Sequence, residues 1–184
     1  MEERTRLAGR VRTRYASPRF IIVTGAIFIL SQASIAWILH QGDAALTLIT
    51  LQTTFDPAAF EAVMSSLTPG QVSALKGHFV LDFLHPVWYG AFALLLLAWL
   101  FERNQVPGRF DVVLWAAPIM SLFDLLENLV HLPLITGHLE ASALPVAFAA
   151  ACATLKWSLA AGFLLLSLAL ILRMLIPGKT AART

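Results

Sequence analysis

Charge and cysteine are what this chain has least of. Only 13% of its 184 residues are Asp, Glu, Lys or Arg, 58% are hydrophobic, and the mean hydropathy is +0.75. So little charge excludes an ordinary soluble domain and a disordered chain, and leaves a membrane protein. The single cysteine, Cys152, can form no internal disulfide and lies in an apolar stretch, so it reads as packing. A net charge of +2, with arginines not interleaved among aromatics, excludes a nucleic-acid-binding face. No phosphate-binding glycine loop, dinucleotide fingerprint, serine-nucleophile elbow, internal repeat or low-complexity tract is present.

What is present is four apolar runs, about 20–39, 79–101, 112–136 and 144–172, each near the ~20 residues that cross a bilayer. The expected fold is all-α: an antiparallel bundle of four transmembrane helices, spanning 20–176, with a short helical cap over 40–78. A basic segment, 1–19, precedes it and a tail, 177–184, follows. Outside the spans, Lys and Arg number six at the amino end, one in the first loop (Lys76), two in the second, none in the third and three at the carboxyl end. That alternation predicts cytoplasmic termini. A secretory signal, with Ser34-Ile35-Ala36 as its small-residue site, is the competing reading of the first run, but the apolar stretch continues through Trp37, Ile38 and Leu39.

Within 40–78, Asp56-Pro57 predicts an N-capped helix over 58–64, and Thr68-Pro69-Gly70-Gln71 is a capping box leading Val72 to Lys76. In the second run, Pro86 frees a backbone carbonyl and bends the helix, which membranes tolerate where a neighbouring group re-satisfies it.

The third run is apolar except for one stripe. Asp124, Glu127, Asn128 and His131 fall at i, i+3, i+4 and i+7, and therefore share one helix face. Charged groups at this depth cost roughly 2.5–3.5 kcal/mol each on insertion scales, so the stripe faces protein or a wet cavity. The second run carries Asp82, His85 and Tyr89 on one face with His78 a turn earlier, and the fourth carries Lys156. At about 1.5 Å of rise per residue the antiparallel spans bring these into two layers, Asp82, His85 and His131 outside and Tyr89, Asp124, Glu127 and Lys156 inside. Thr24, Ser31 and Ser34 lie near one face of the first run, as weak lining or as ordinary packing.

Three carboxylates against one certain cation leave two negative charges uncompensated if all are ionised, a state unfavourable by several kcal/mol. A protonated carboxyl or a charged imidazole relieves it, which implies acid/base chemistry; so does a bound cation, which implies a metal centre. His85, Asp82, Glu127 and His131 are the alternative metal set, suited to zinc, iron or manganese, although the paired Glu-x-x-His signature of di-iron bundles is missing. A third alternative is that Asp124 or Glu127 pairs with Lys156 only to hold helix register.

Leu81-Asp82-Phe83-Leu84-x-Pro86-x-x-Tyr89-Gly90, Asp124-Leu125-Leu126-Glu127-Asn128 and Thr154-Leu155-Lys156-Trp157 resemble the motifs of a group of small bacterial four-span membrane proteins, over residues 50–175. The resemblance implies the bacterial cytoplasmic membrane and brings no activity with it. His85 stands where that group has Tyr or Phe, so the likeness rests on Asp82, Tyr89, Asp124, Glu127, Asn128 and Lys156.

The expected function is a buried polar site that binds a membrane lipid or another lipophilic small molecule and converts it by proton transfer, as an isomerase or hydratase/lyase. Glu127 or Asp124 is the expected acid, His131 the proton shuttle, Lys156 the electrostatic partner, Asp82 a further catalytic carboxyl and Asn128 the orienting amide. Tyr89, His85, Trp88 and Trp157 are the expected substrate contacts. The cofactor is unknown. The alternative is a non-catalytic accessory subunit, small carrier or proton conductor, with a homo-oligomer or a membrane-protein partner.

Overall fold

The structure, a computed structural model, describes Arg12 and residues 16–176. Most of the basic segment 1–19 and all of the tail 177–184 therefore lie outside the described residues. What is described is helical, with no strand among those residues. The helices are α1 (Pro18–Gln41), α2 (Ala45–Thr53), α3 (Pro57–Ser65), α4 (Pro69–Asp82), α5 (His85–Arg103), a 3-10 helix (Gly108–Trp115), α6 (Ala116–Thr136) and α7 (Ala143–Leu175). Four segments, namely α1, α5, the 3-10 helix with α6, and α7, are long and apolar enough to cross a membrane. At 33 residues, α7 is about 50 Å long, more than a bilayer needs without tilt.

The cap contains three short helices where two are expected. Asp56 Oδ1 accepts from Ala58 N at 3.1 Å to start α3, and the Thr68/Gln71 box starts α4, with Gln71 Oε1 accepting from Thr68 N at 3.0 Å. The additional helix, α2, has no side-chain cap. It forms because Leu48 and Leu51 are buried against the rest of the cap core, with Phe60, Leu75, Phe79 and Val146.

The second span also starts later than its hydropathy suggests. Helix α4 continues to Asp82, the chain breaks at Phe83 and Leu84, and α5 begins at His85. Pro86 thus occupies the first turn of a new helix, where its missing N–H is no loss, instead of bending an existing one. The carbonyl it leaves free, four residues back, is that of Asp82. Asn128 on α6 donates Nδ2–H to it at 3.0 Å, which is the re-satisfaction by a neighbouring helix that a membrane proline demands.

Helices α5, α6 and α7 form the centre, with α1 laid against α4 and α5, and α2 against α7. Close approach of α5 and α6 depends on Gly90, where a Cβ would run into the Ser121 side chain. Ser121 Oγ in turn donates to Pro86 O at 2.8 Å. Helix α6 stops at Gly137, whose φ of 75° suits glycine as a left-handed C-terminal cap. Away from the cap, Arg12 closes the far end of α5. Its guanidinium donates to Val106 O at 2.7 Å and Phe101 O at 3.1 Å, and meets Glu102 Oε2 at 2.7 Å and Asp111 Oδ1 at 3.2 Å.

Helices α1 and α7 make no substantial contact with each other. Among the described residues α1 and α7 are bridged near the cap by α2, which contacts both.

Candidate functional site

Every ionisable side chain of the expected constellation is buried: Asp82, His85, Asp124, Glu127, His131 and Lys156 are each no more than 7% exposed. The inner layer assembles as the helix register requires. Lys156 Nζ on α7 lies 2.8 Å from Asp124 Oδ1 and 2.7 Å from Glu127 Oε2, so one ammonium bridges two carboxylates of the α6 stripe. Tyr89 on α5 donates its hydroxyl to the other oxygen, Asp124 Oδ2, at 2.9 Å. On the far side, His131 Nδ1 lies 3.4 Å from Glu127 Oε1. Five residues from three helices thus form one connected seam.

The outer layer does not assemble, because the break at Phe83 and Leu84 interrupts the register between Asp82 and His85. Asp82 Oδ2 faces His78 Nε2 at 3.6 Å, and His85 Nδ1 pairs instead with Ser31 Oγ of α1 at 2.9 Å. Ser31 is the useful member of the hydroxyl trio; Thr24 and Ser34 bond back to carbonyls of their own helix. His131 is sealed between Phe60 and Phe79, with both ring centroids 6.1 Å away. The alternative ligand set His85, Asp82, Glu127 and His131 consequently does not converge on one point. Among the described residues no group of three or more His, Cys, Asp or Glu side chains is placed to hold a metal ion.

A cavity of about 440 Å³ lies on one side of the seam. Its polar wall is His78, Asp82, His85, Tyr89, Asp124 and Lys156. Phe28, Gln32, Ile35 and Leu39 of α1 line one flank, α2 contributes Leu48 and Gln52 above, and Trp157, Ala160, Phe163 and Leu164 of α7 line the other. The cavity thus lies between α1 and α7, which do not pack on each other. Ile49 and Leu164 among its lining residues are 54% and 63% exposed, so part of the lining belongs to the apolar outer surface.

This geometry changes several expected roles. Glu127, Asn128 and His131 do not line the cavity, whereas Asp124, the other expected acid, does. Asn128, the expected orienting amide, donates to the backbone carbonyl of Asp82. Trp88 is half-buried away from the cavity, whereas Trp157 lines it and donates Nε1–H to Gln52 Oε1 at 3.4 Å. Asp124 has one oxygen on Lys156 and the other on Tyr89, which leaves little capacity to exchange a proton. Asp82 is different. Among the described residues it has no lysine or arginine within ion-pair distance, and its neighbour His78 has hydrogen-bond partners on neither ring nitrogen.

His78, Gln32 and Gln52 are the cavity residues that sequence reasoning passed over or left secondary. Gln32 carries a usable signal, since it is an amide within an apolar span and needs a protein or water partner there.

Fold and site together define a helical bundle with four helices apolar enough to span a membrane and a polar cavity open to its side. In comparison with known proteins, the chain matches no family model, no curated protein and no solved structure.

Proposed function

We propose that this protein is an intramembrane binding and acid/base site for a lipophilic small molecule that enters sideways from the bilayer. The observation that supports the reading is a cavity between α1 and α7 whose lining includes both Asp82 and His78 and the exposed apolar residues Ile49 and Leu164. Apolar walls with a few convergent polar groups are the usual composition of a small-molecule site. The Asp82–His78 pair exchanges the proton, Asp82 being the carboxyl without a fixed counter-charge; Tyr89 and His85 contact the ligand, and Lys156 with Asp124 sets the charge beside it. Isomerisation, or addition or loss of water, needs no more than such a proton transfer. Lys and Arg alternation supports a bacterial cytoplasmic membrane, both termini inside and the cap outside, in keeping with the four-span group that the motifs resemble.

Two measurements test this. Native mass spectrometry of the purified full chain is expected to show a retained lipophile, lost in Ala160→Trp, which fills the cavity. Lipid extracts from cells making the wild type are expected to contain a species, isomeric with or one water apart from a species that accumulates with Asp82→Asn. No retained lipophile and identical extracts would remove the reading. The accessory-subunit reading draws on the sealed half of the seam, Glu127 with His131. It predicts instead that Asp82→Asn changes no extract while a membrane-protein partner co-purifies.

A further inference from the structure

We infer that the cavity selects a cation: its ligand carries one positive charge, as an amine or an onium group, on a lipophilic body. This rests on the proposed lateral binding site and narrows it. The charges around the cavity decide the sign. Among the described residues Lys156 is the only lysine or arginine in the cavity wall, and its ammonium is already held at 2.8 and 2.7 Å by Asp124 and Glu127. A carboxylate or phosphate entering from the bilayer would find no free cation and would face two carboxyl groups. A neutral ligand would leave Asp82 as it is, buried and without a fixed counter-charge.

A monocation supplies what the wall lacks. Asp82 is 4% exposed and lines the cavity, and His78 beside it is a buried side chain with both ring nitrogens unpartnered. Phe28, Tyr89, Phe92 and Trp157 line the same space, but Lys156 Nζ already lies 5.2 Å from the Trp157 ring centroid and Phe28 stacks on Phe92 at 5.6 Å, so the carboxyl and not the rings supplies the attraction. The carboxyl therefore acts on the charge, while the apolar flanks accept the rest of the molecule.

The test compares three probes of one chain length, dodecyltrimethylammonium, dodecanol and dodecanoate, binding to the full chain in lipid nanodiscs and read by Trp fluorescence and calorimetry. The ammonium is expected to bind at least about tenfold more tightly than either of the others, the ratio that ~1.4 kcal/mol of charge pairing produces. Asp82→Asn is expected to bring it down to the level of dodecanol. Equal binding of all three, or preference for dodecanoate, overturns the charge selection and leaves lateral lipophile binding standing. Absence of binding by any probe removes both. If Asp82→Asn fails to fold, the three-probe comparison on the wild type still decides.

Discussion

The two sides of Lys156 are built from the same residue types and behave differently. Toward the cavity lie Asp124, Tyr89, Asp82, His78 and His85; behind it lie Glu127, His131 and Asn128. Both sides contain carboxylates and imidazoles, and α6 supplies residues to each from a single stripe. One side borders the cavity, whereas the other is closed by Phe60 and Phe79, with Glu127 and Asn128 wholly inaccessible. A buried polar stripe thus serves two ends at once. The closed half ties α6 to α7 through Glu127 and Lys156, and the open half keeps a carboxyl, Asp82, that has no lysine or arginine partner among the described residues.

The comparison can be broken from either side. The largest expected effect is that of Lys156→Met, which strands two buried carboxylates and should lower stability by about 3–5 kcal/mol, measured by denaturant unfolding in detergent. A variant as stable as the wild type would show that Lys156 is not the keystone of the seam. Glu127→Gln removes one charge-assisted contact in the closed half and should cost about 1.5–3 kcal/mol without changing ligand retention once folded. Loss of the ligand from a folded Glu127→Gln protein would erase the distinction between the halves. Gly90→Ala drives α5 away from Ser121; overpacking of this kind costs about 1–3 kcal/mol, and the Tyr89–Asp124 hydrogen bond should weaken with it, visible as a changed Tyr ring signal in difference infrared spectra. The smallest effect in this series is reserved for Asp82→Asn, within about 0.5–1 kcal/mol of wild-type stability, because no ion pair to lysine or arginine is lost, although ligand conversion stops.

Four apolar helices, the cap with its Asp56 and Thr68 starts, and the inner layer of the seam were all legible in residue order. Each depends on local spacing: a span needs only sustained hydropathy, a cap needs one side chain beside its own backbone, and i, i+3, i+4, i+7 puts Asp124, Glu127, Asn128 and His131 on one face whatever surrounds them. Helix α2 was not legible, since Ala44 and Ala45 mark no start and its formation depends on the burial of Leu48 and Leu51 under distant helices. The break before His85 was half legible. Pro86 announced a freed carbonyl, but that the chain would stop at Asp82 and that Asn128 would accept the task depends on where α6 passes.

Residue order by itself therefore determined that this is a helical chain with four segments able to span a membrane and a costly polar stripe that must be enclosed, because hydropathy and helical periodicity are properties of neighbouring residues. Only the tertiary structure decided which part of the stripe is open. The gap between α1 and α7, the closure of His131 by Phe60 and Phe79, and the uncommitted state of Asp82 all arise from how separate helices are packed, and packing against a distant partner leaves no mark on local spacing.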